Sequence, residues 1–287
     1  MPTRFKKVIK DPLGEFDGFD AEGGYQMVPV GGELRFLGAS SADGSTITNS
    51  DASIVRMERF TSTIPLPTAT IDKAILPPKS EVEFALNGVK PGRVTLAMRN
   101  AASKLEDELT ISVKAPRPVT LSIAILKDIR RQAGFDAEII RFLLSGVFKT
   151  YKQQVNIDLS INNGPEELLV EKDLKDPMFP EKVDTALAIH DATPKIWFLS
   201  TLIVYCTWNI QTLTGKDDLA GLNVGVKVFV ENNPNPVLTR VTFAHEIGHG
   251  LGLEHTTDPA AIMNPFIGGA HTRFRQFEID HMNNSGT

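Results

Sequence analysis

Three of the six histidines in this 287-residue chain fall within eleven residues: His245, Glu246, Ile247, Gly248, His249, Gly250, Leu251, Gly252, Leu253, Glu254 and His255. Imidazoles are common metal ligands, and the spacing suits a single ion. On a helix, His245 and His249 lie one turn apart on the same face, so both rings can reach one ion about 2 Å away. Glu246 is rotated by about 100° around the helix axis, which puts its carboxylate beside the metal rather than on it. Gly252 tolerates the left-handed conformation that ends a helix, so the chain can turn and bring His255 back as a third ligand. Three neutral nitrogen ligands leave one tetrahedral position for water, which separates a catalytic zinc from a closed structural one. The expected chemistry is hydrolysis by water activated on one catalytic Zn2+, with Glu246 as general base and later as proton donor to the leaving amine.

The two-histidine core of this pattern arises by chance in roughly one chain in a hundred of this length, and the added Gly252 and His255 lower that rate by roughly a thousandfold. The other candidate residues have plainer readings. His190, His271 and His281 have no partner at metal spacing and read as surface or hydrogen-bonded histidines. Asp258 with Pro259 reads as a turn initiator. Glu254 reads as a solvated carboxylate, and Glu106, Asp107, Glu166, Glu167 and Asp176 belong to exposed charged stretches. The single cysteine, Cys206, lies in an apolar run and reads as a buried, inert thiol.

The elements that must hold this constellation can be placed in outline. Asn235 and Pro236 form a helix start, because Asn caps free amides and Pro suits the first helical position. A helix is therefore expected from Val237 to about Leu251. Upstream, Val119 to Leu126 and Val155 to Leu159 read as strands, and Phe135 to Tyr151 as an amphipathic helix with Ile139, Ile140, Phe142, Leu143 and Val147 on its apolar side. Lys195 to Cys206 and Leu222 to Val230 are apolar runs of strand type. This order gives an α+β domain over residues 119–287. The stretch Lys114, Ala115, Pro116, Arg117 and Pro118 breaks the pattern and reads as a linker. Before it, residues 25–115 carry short alternating strands, Glu33 to Leu37, Ile54 to Phe60, Val82 to Leu86, Val94 to Met98 and Leu109 to Val113, which predict an all-β sandwich. Residues 1–24 read as an N-terminal arm.

The extended motif, with Met263 eight residues beyond His255, resembles that of the metzincin peptidases and is most similar to their matrixin branch. The resemblance implies a mixed sheet, an active-site helix and a C-terminal helix from Phe274 to Met282. It implies zinc ligation by His245, His249 and His255, catalysis by Glu246, and Met263 packed beneath the metal. It further implies that Leu222 to Val230 is the edge strand of a cleft that pairs with an extended polypeptide substrate, and that Pro265 to Gly268 wall the pocket for the residue after the cut. Cys206 lies inside the catalytic region and not in a cysteine-switch motif, the second zinc and calcium sites of matrixins are not assigned to any residues, and no tyrosine ligand is carried over. In the first domain, Gly88 to Gly92, Val94 to Met98 and Leu109 to Val113 resemble the last hairpin of a bacterial immunoglobulin-like domain, which implies a spacer or adhesion module.

Composition narrows the classes. With 41% apolar and 23% charged residues and a formal net charge of -5, the chain has the make-up of a folded globular protein, and no basic stretch suggests a nucleic-acid or membrane partner. The start of the chain lacks the apolar core of a Sec signal, so an extracellular location by a signal-independent route is expected, with a cytoplasmic role as the alternative. A cell-surface or secretion-system partner would act through the N-terminal domain. Two other functions compete with a zinc metalloendopeptidase. One is a zinc amidase on a peptide-bearing cell-wall polymer, and the other an adhesion or scaffold protein with a structural metal site.

Overall fold

The computed structural model describes residues 5–7, 18–20, 23–31, 35–40, 46–60, 81–213, 220–266 and 273–284. The chain divides into two compact units, Met1–Pro116 and Arg117–Thr287. Among the described residues no helix is long and apolar enough to cross a membrane.

The first unit contains β1 (Phe5–Lys7), β2 (Phe19–Asp20), β3 (Tyr25–Pro29), β4 (Arg35–Ser40), β5 (Thr46–Asn49), β6 (Val55–Phe60), β7 (Glu81–Gly88), β8 (Gly92–Arg99) and β9 (Leu105–Lys114). They form two sheets, in the orders β1-β4-β7-β6 and β2-β3-β9-β8-β5. Alternation decides the faces: Val94, Leu96 and Met98 of β8 are buried, while their neighbours are not, because successive side chains of a strand point to opposite sides. One apolar core joins the sheets, with Phe84 and Leu86 from one and Val94, Leu96, Met98, Leu109, Ile111 and Val113 from the other. The expected arm is corrected here, since Phe5 and Phe19 lie in that core and the Phe5 and Phe84 rings meet edge-on at 6.1 Å. Strands of two or three residues are too short to show a period in sequence.

The second unit contains β10 (Arg117–Asp128), α1 (Ala137–Val155), β11 (Ile157–Val170), α2 (Val183–Ala192), a 3-10 turn (Lys195–Leu199), β12 (Leu202–Thr207), β13 (Gly221–Val224), β14 (Lys227–Glu231), α3 (Pro236–Gly250) and α4 (Gln276–Asn284). Its sheet has the order β11-β10-β12-β14-β13. The pairs are parallel except at β13, which runs antiparallel to β14. On one face Ile203, Tyr205 and Phe229 pack with Trp197 and with Ile189 of α2. On the other, Gly250 of α3 lies against the side chains of Leu202 and Val228.

Four expectations change. Leu222 to Val230 is a hairpin that turns at Gly225 and Val226, so only Gly221–Val224 is the edge strand. Lys195 to Cys206 is a 3-10 turn followed by β12, because Ser200 and Thr201 interrupt it. Pro118 belongs to β10, where it pairs with Asp158, so only Ala115 and Pro116 separate the last strand of the first unit from the first strand of the second. On α1, Ile140, Leu143 and Val147 are buried as expected, but Ile139 and Phe142 face solvent at 53% and 75% exposure. The buried stripe runs instead through Leu144, Tyr151 and Val155.

α1 is fixed at both ends. Asp136 accepts from the Glu138 and Ile139 amides, and Asn156 closes the helix in the left-handed conformation at φ 60°. Its far end meets α3 and the C-terminal segment. The Tyr151 hydroxyl donates to the Ala244 carbonyl at 2.8 Å, and the Tyr151 and Phe274 rings lie 5.0 Å apart. Gln154 Oε1 accepts from the Phe274 amide at 2.8 Å, and Asn283 Nδ2 donates to the Val155 carbonyl at 2.9 Å.

Candidate metal centre

α3 begins where Asn235 Oδ1 accepts from the Val237 amide with Pro236 in the first turn, and it runs to Gly250. His245 and His249 lie one turn apart on it, as their spacing requires. The Leu251 amide bonds back to Ile247 and Gly248, and Gly252 follows at φ +92°. A side chain would be strained at that angle. The reversal is sealed by the Leu253 amide on the Gly248 carbonyl at 3.0 Å, and two residues later His255 faces the helix.

The three Nε2 atoms converge, with 3.0 Å between His249 and His245, 3.1 Å between His249 and His255, and 3.2 Å between His245 and His255. The opposite nitrogens of the two helical rings have partners of their own. His245 Nδ1 meets the Ile262 carbonyl at 2.7 Å, and His249 Nδ1 meets the Leu253 carbonyl at 2.7 Å. A carbonyl only accepts, so each Nδ1 carries the proton and each Nε2 presents a lone pair. Lone pairs turned on one another at this range repel unless a cation lies among them. Three nitrogens bound tetrahedrally at 2.0–2.1 Å from one zinc stand about 3.3 Å apart, close to the separations found. Burial lowers the pKa of His249, against a smaller opposing effect of its bond to Leu253, and so favours the neutral ring a metal requires. The triad can hold one metal ion, and it is the one such group of three His, Cys, Asp or Glu side chains among the described residues.

Glu246 follows His245 on α3 and is only 4% exposed. Its Oε2 has no hydrogen-bond partner among the described residues, and burial pushes its pKa up to about 8. A cation beside it would favour the ionised form and draw the pKa back down. Met263 is fully buried. A Cβ on Gly248 would come within 2.5 Å of its sulfur, so the methionine packs directly under the backbone of the motif helix. The Thr256 amide donates to the Met263 carbonyl at 2.9 Å and ties the third histidine's segment to this turn.

The model of the matrixin peptidase family matches residues 203–286, which span β12 to α4 and include the histidine triad and Met263. This stretch of the C-terminal unit, with its histidine triad, is similar to the matrixin family. Solved structures similar to the chain include archaemetzincin from Methanopyrus kandleri, at 12% identity over 59% of this chain and 95% of that one with a TM-score of 0.43. A zinc-dependent peptidase from Methanocorpusculum labreanum matches at 15% identity over 57% and 100%, with a TM-score of 0.39. Metalloproteinase-II from Bacteroides fragilis matches at 10% over 91% and 85%, with a TM-score of 0.38. No curated protein matches the chain by sequence.

The loop that carries the third histidine is braced by Asp258 and by Arg273, Arg275 and Glu278, which the sequence did not single out. Asp258 makes the expected turn by accepting from the Ala260 amide at 3.0 Å. Its Oδ2 also binds Arg273 at 3.2 Å and Arg275 at 3.1 Å. Two arginines at alternate positions before a helix were the only sequence signal. Glu278 of α4 is fully buried and accepts from the Arg275 amide at 2.5 Å. Burial raises its pKa to about 7, assisted by the nearby Asp258 charge and opposed by Arg275. Among the remaining histidines, the His190 ring packs on Phe198 at 4.9 Å. His281 stands beside Gly252, where a Cβ would lie 3.0 Å from its Nε2, and His271 is outside the described residues. Of the expected pocket wall, Pro265 and Phe266 are exposed, and residues 267 and 268 are outside the described residues. Glu254 is exposed, and Cys206 is a buried free thiol whose pKa burial raises.

Glu278 makes stability depend on pH in a definite direction. Its folded pKa of about 7 exceeds the ordinary 4.5, so between these values the unfolded chain releases a proton that the folded chain keeps, and stability falls as pH rises. Glu278→Gln removes this loss. The variant should melt close to the parent at pH 4.5 and be more stable at pH 8, by up to about 3 kcal/mol. Equal thermal or urea midpoints across that range would show that Glu278 ionises normally.

Proposed function

We propose that the protein is a zinc-dependent endopeptidase that cleaves extended polypeptides, with His245, His249 and His255 as metal ligands and Glu246 as general base. The observation that carries this reading is the convergence of three Nε2 atoms within 3.2 Å next to a buried carboxylate with an oxygen left over. A closed structural site would more often supply a fourth protein ligand, and among the described residues no fourth His, Cys, Asp or Glu joins the triad, which supports catalysis over a structural metal.

Zinc bound by the triad supplies Lewis acidity, which makes water a nucleophile near neutral pH and stabilises charge on the scissile carbonyl oxygen. The protein's groups do the rest. The Ile262 and Leu253 carbonyls hold two rings in the ligating tautomer. Glu246 takes the proton of the attacking water at Oε2 and returns it to the departing amine, so the carboxylate ends the cycle as it began. β13 is an edge strand of the sheet, the one beside α3, and its outer backbone edge can pair with an extended substrate, an arrangement in which backbone bonds give affinity and side-chain pockets give preference. The two sheets around one core in the first unit support its reading as an immunoglobulin-like spacer.

The test is to incubate the purified protein with a denatured protein and a mixed peptide library, with and without a zinc chelator, and to read new termini by mass spectrometry. Cuts that disappear with chelator and return with added zinc are expected. Bound zinc with no cut in any peptide would overturn the endopeptidase reading and leave a non-protein amide as substrate.

A further inference from the structure

The strand that borders the centre carries a glycine where a side chain would collide with the general base. Gly221 opens β13 and pairs with Val230 of β14. A Cβ built there would stand 2.5 Å from Glu246 Cγ, 2.7 Å from Oε1 and 2.8 Å from Cδ. Carbon atoms in contact normally stay about 3.5–4.0 Å apart, so no side chain fits without movement. Glu246 cannot retreat with its backbone. It sits inside α3, between His245, whose ring is anchored on the Ile262 carbonyl, and Gly248, which is pressed on Met263. The strand is also constrained, since the amide of Glu231 bonds to the carbonyl of Ala220 immediately before Gly221. The carboxylate arm is thus the part with freedom to yield.

A glycine within a strand costs stability, and it marks places where another group approaches the backbone closely. Here that group is the Glu246 carboxylate. We propose that Gly221 is a positioning residue: its bare backbone is the backstop that fixes how deep the Glu246 carboxylate sits, and thereby where its free oxygen meets the attacking water. The hydrogen at Cα lets the carboxylate lie flat against the edge strand, with Oε1 toward the strand. A methyl at 221 would displace the arm while leaving the three histidines on their own carbonyl and turn supports.

This inference rests on Glu246 being the general base. The test compares the parent, Gly221→Ala and Gly221→Val for zinc per chain, melting temperature, and kcat and KM on one peptide, together with a crystal structure of Gly221→Ala. Zinc content equal to the parent's is expected, with kcat lower by about 10–100-fold, a larger loss for Val than for Ala, and KM within about threefold because the cleft edge still pairs with substrate. A general loosening of the strand would instead raise KM and lower the melting temperature together. Parent-like kcat in Gly221→Ala would overturn the proposal, as would a crystal structure in which β13 has moved outward and the carboxylate has not. If the parent cleaves no peptide, the functional reading fails on its own account, and the displaced or undisplaced carboxylate in the crystal still decides the role of Gly221.

Discussion

Glu246→Gln should retain one zinc per chain and lose cleavage by about 10²–10⁴-fold, the range assigned to a positioned general acid–base. Gln has nearly the shape of Glu, so it fills the same space against Gly221 and leaves His245, His249 and His255 undisturbed. What disappears is the proton acceptor. The variant should fold at least as firmly as the parent, because the carboxylate it replaces is only 4% exposed and burial of a charge is costly. Metal content by mass spectrometry, a melting curve and single-turnover cleavage on one preparation separate the effects. A rate within tenfold of the parent, with zinc in place, would mean that another group moves the proton.

The second large effect is expected from His245→Ala. His245 is 3% exposed and reaches its partners on two sides, with Nδ1 on the Ile262 carbonyl at 2.7 Å and Nε2 within 3.2 Å of both other rings. Removing it leaves two ligands, too few to retain zinc against dilution. Zinc per chain should fall from one to near zero after desalting, and cleavage should fall by at least about 10³-fold. The melting temperature should drop as well. The folded state loses the binding contribution of the metal, and the Ile262 carbonyl loses its donor at a cost of about 1–3 kcal/mol. Stoichiometric zinc in this variant would remove the triad as the metal site. Taken with Glu246→Gln, the result distinguishes holding the ion from using it.

Why these residues were legible before the fold was known, and others were not, has a physical basis. The metal helix is specified locally. Asn235 and Pro236 start it, a four-residue step puts two rings on one face, and Gly252 turns the chain, all within about twenty residues. The roles of Met263 and of the helix near the end were implied only by the resemblance that this span carries. Legibility fails where an outcome depends on partners distant in sequence. A β-branched run from Leu222 to Val230 reads the same whether it runs straight or folds into a hairpin, since both bury alternate residues. The apolar side of α1 included Ile139 and Phe142, yet only packing against the sheet and α3 decides which flank of the stripe is covered. Asp258 announced a turn and made one, but its two arginines are fifteen and seventeen positions further on. The role of Gly221 is visible only when the edge strand is laid on α3.

The bracing of the centre also has a consequence in time. His245 and His249 are made well before the segment that supports the third histidine's loop, because Asp258 takes its ion pairs from Arg273 and Arg275, and α1 receives Phe274 and Asn283. A nascent chain that has reached α3 therefore has its ligating helix but neither the braced loop nor the docked terminal helix. The braced loop and the docked helix are complete only once the chain has been made as far as Asn283.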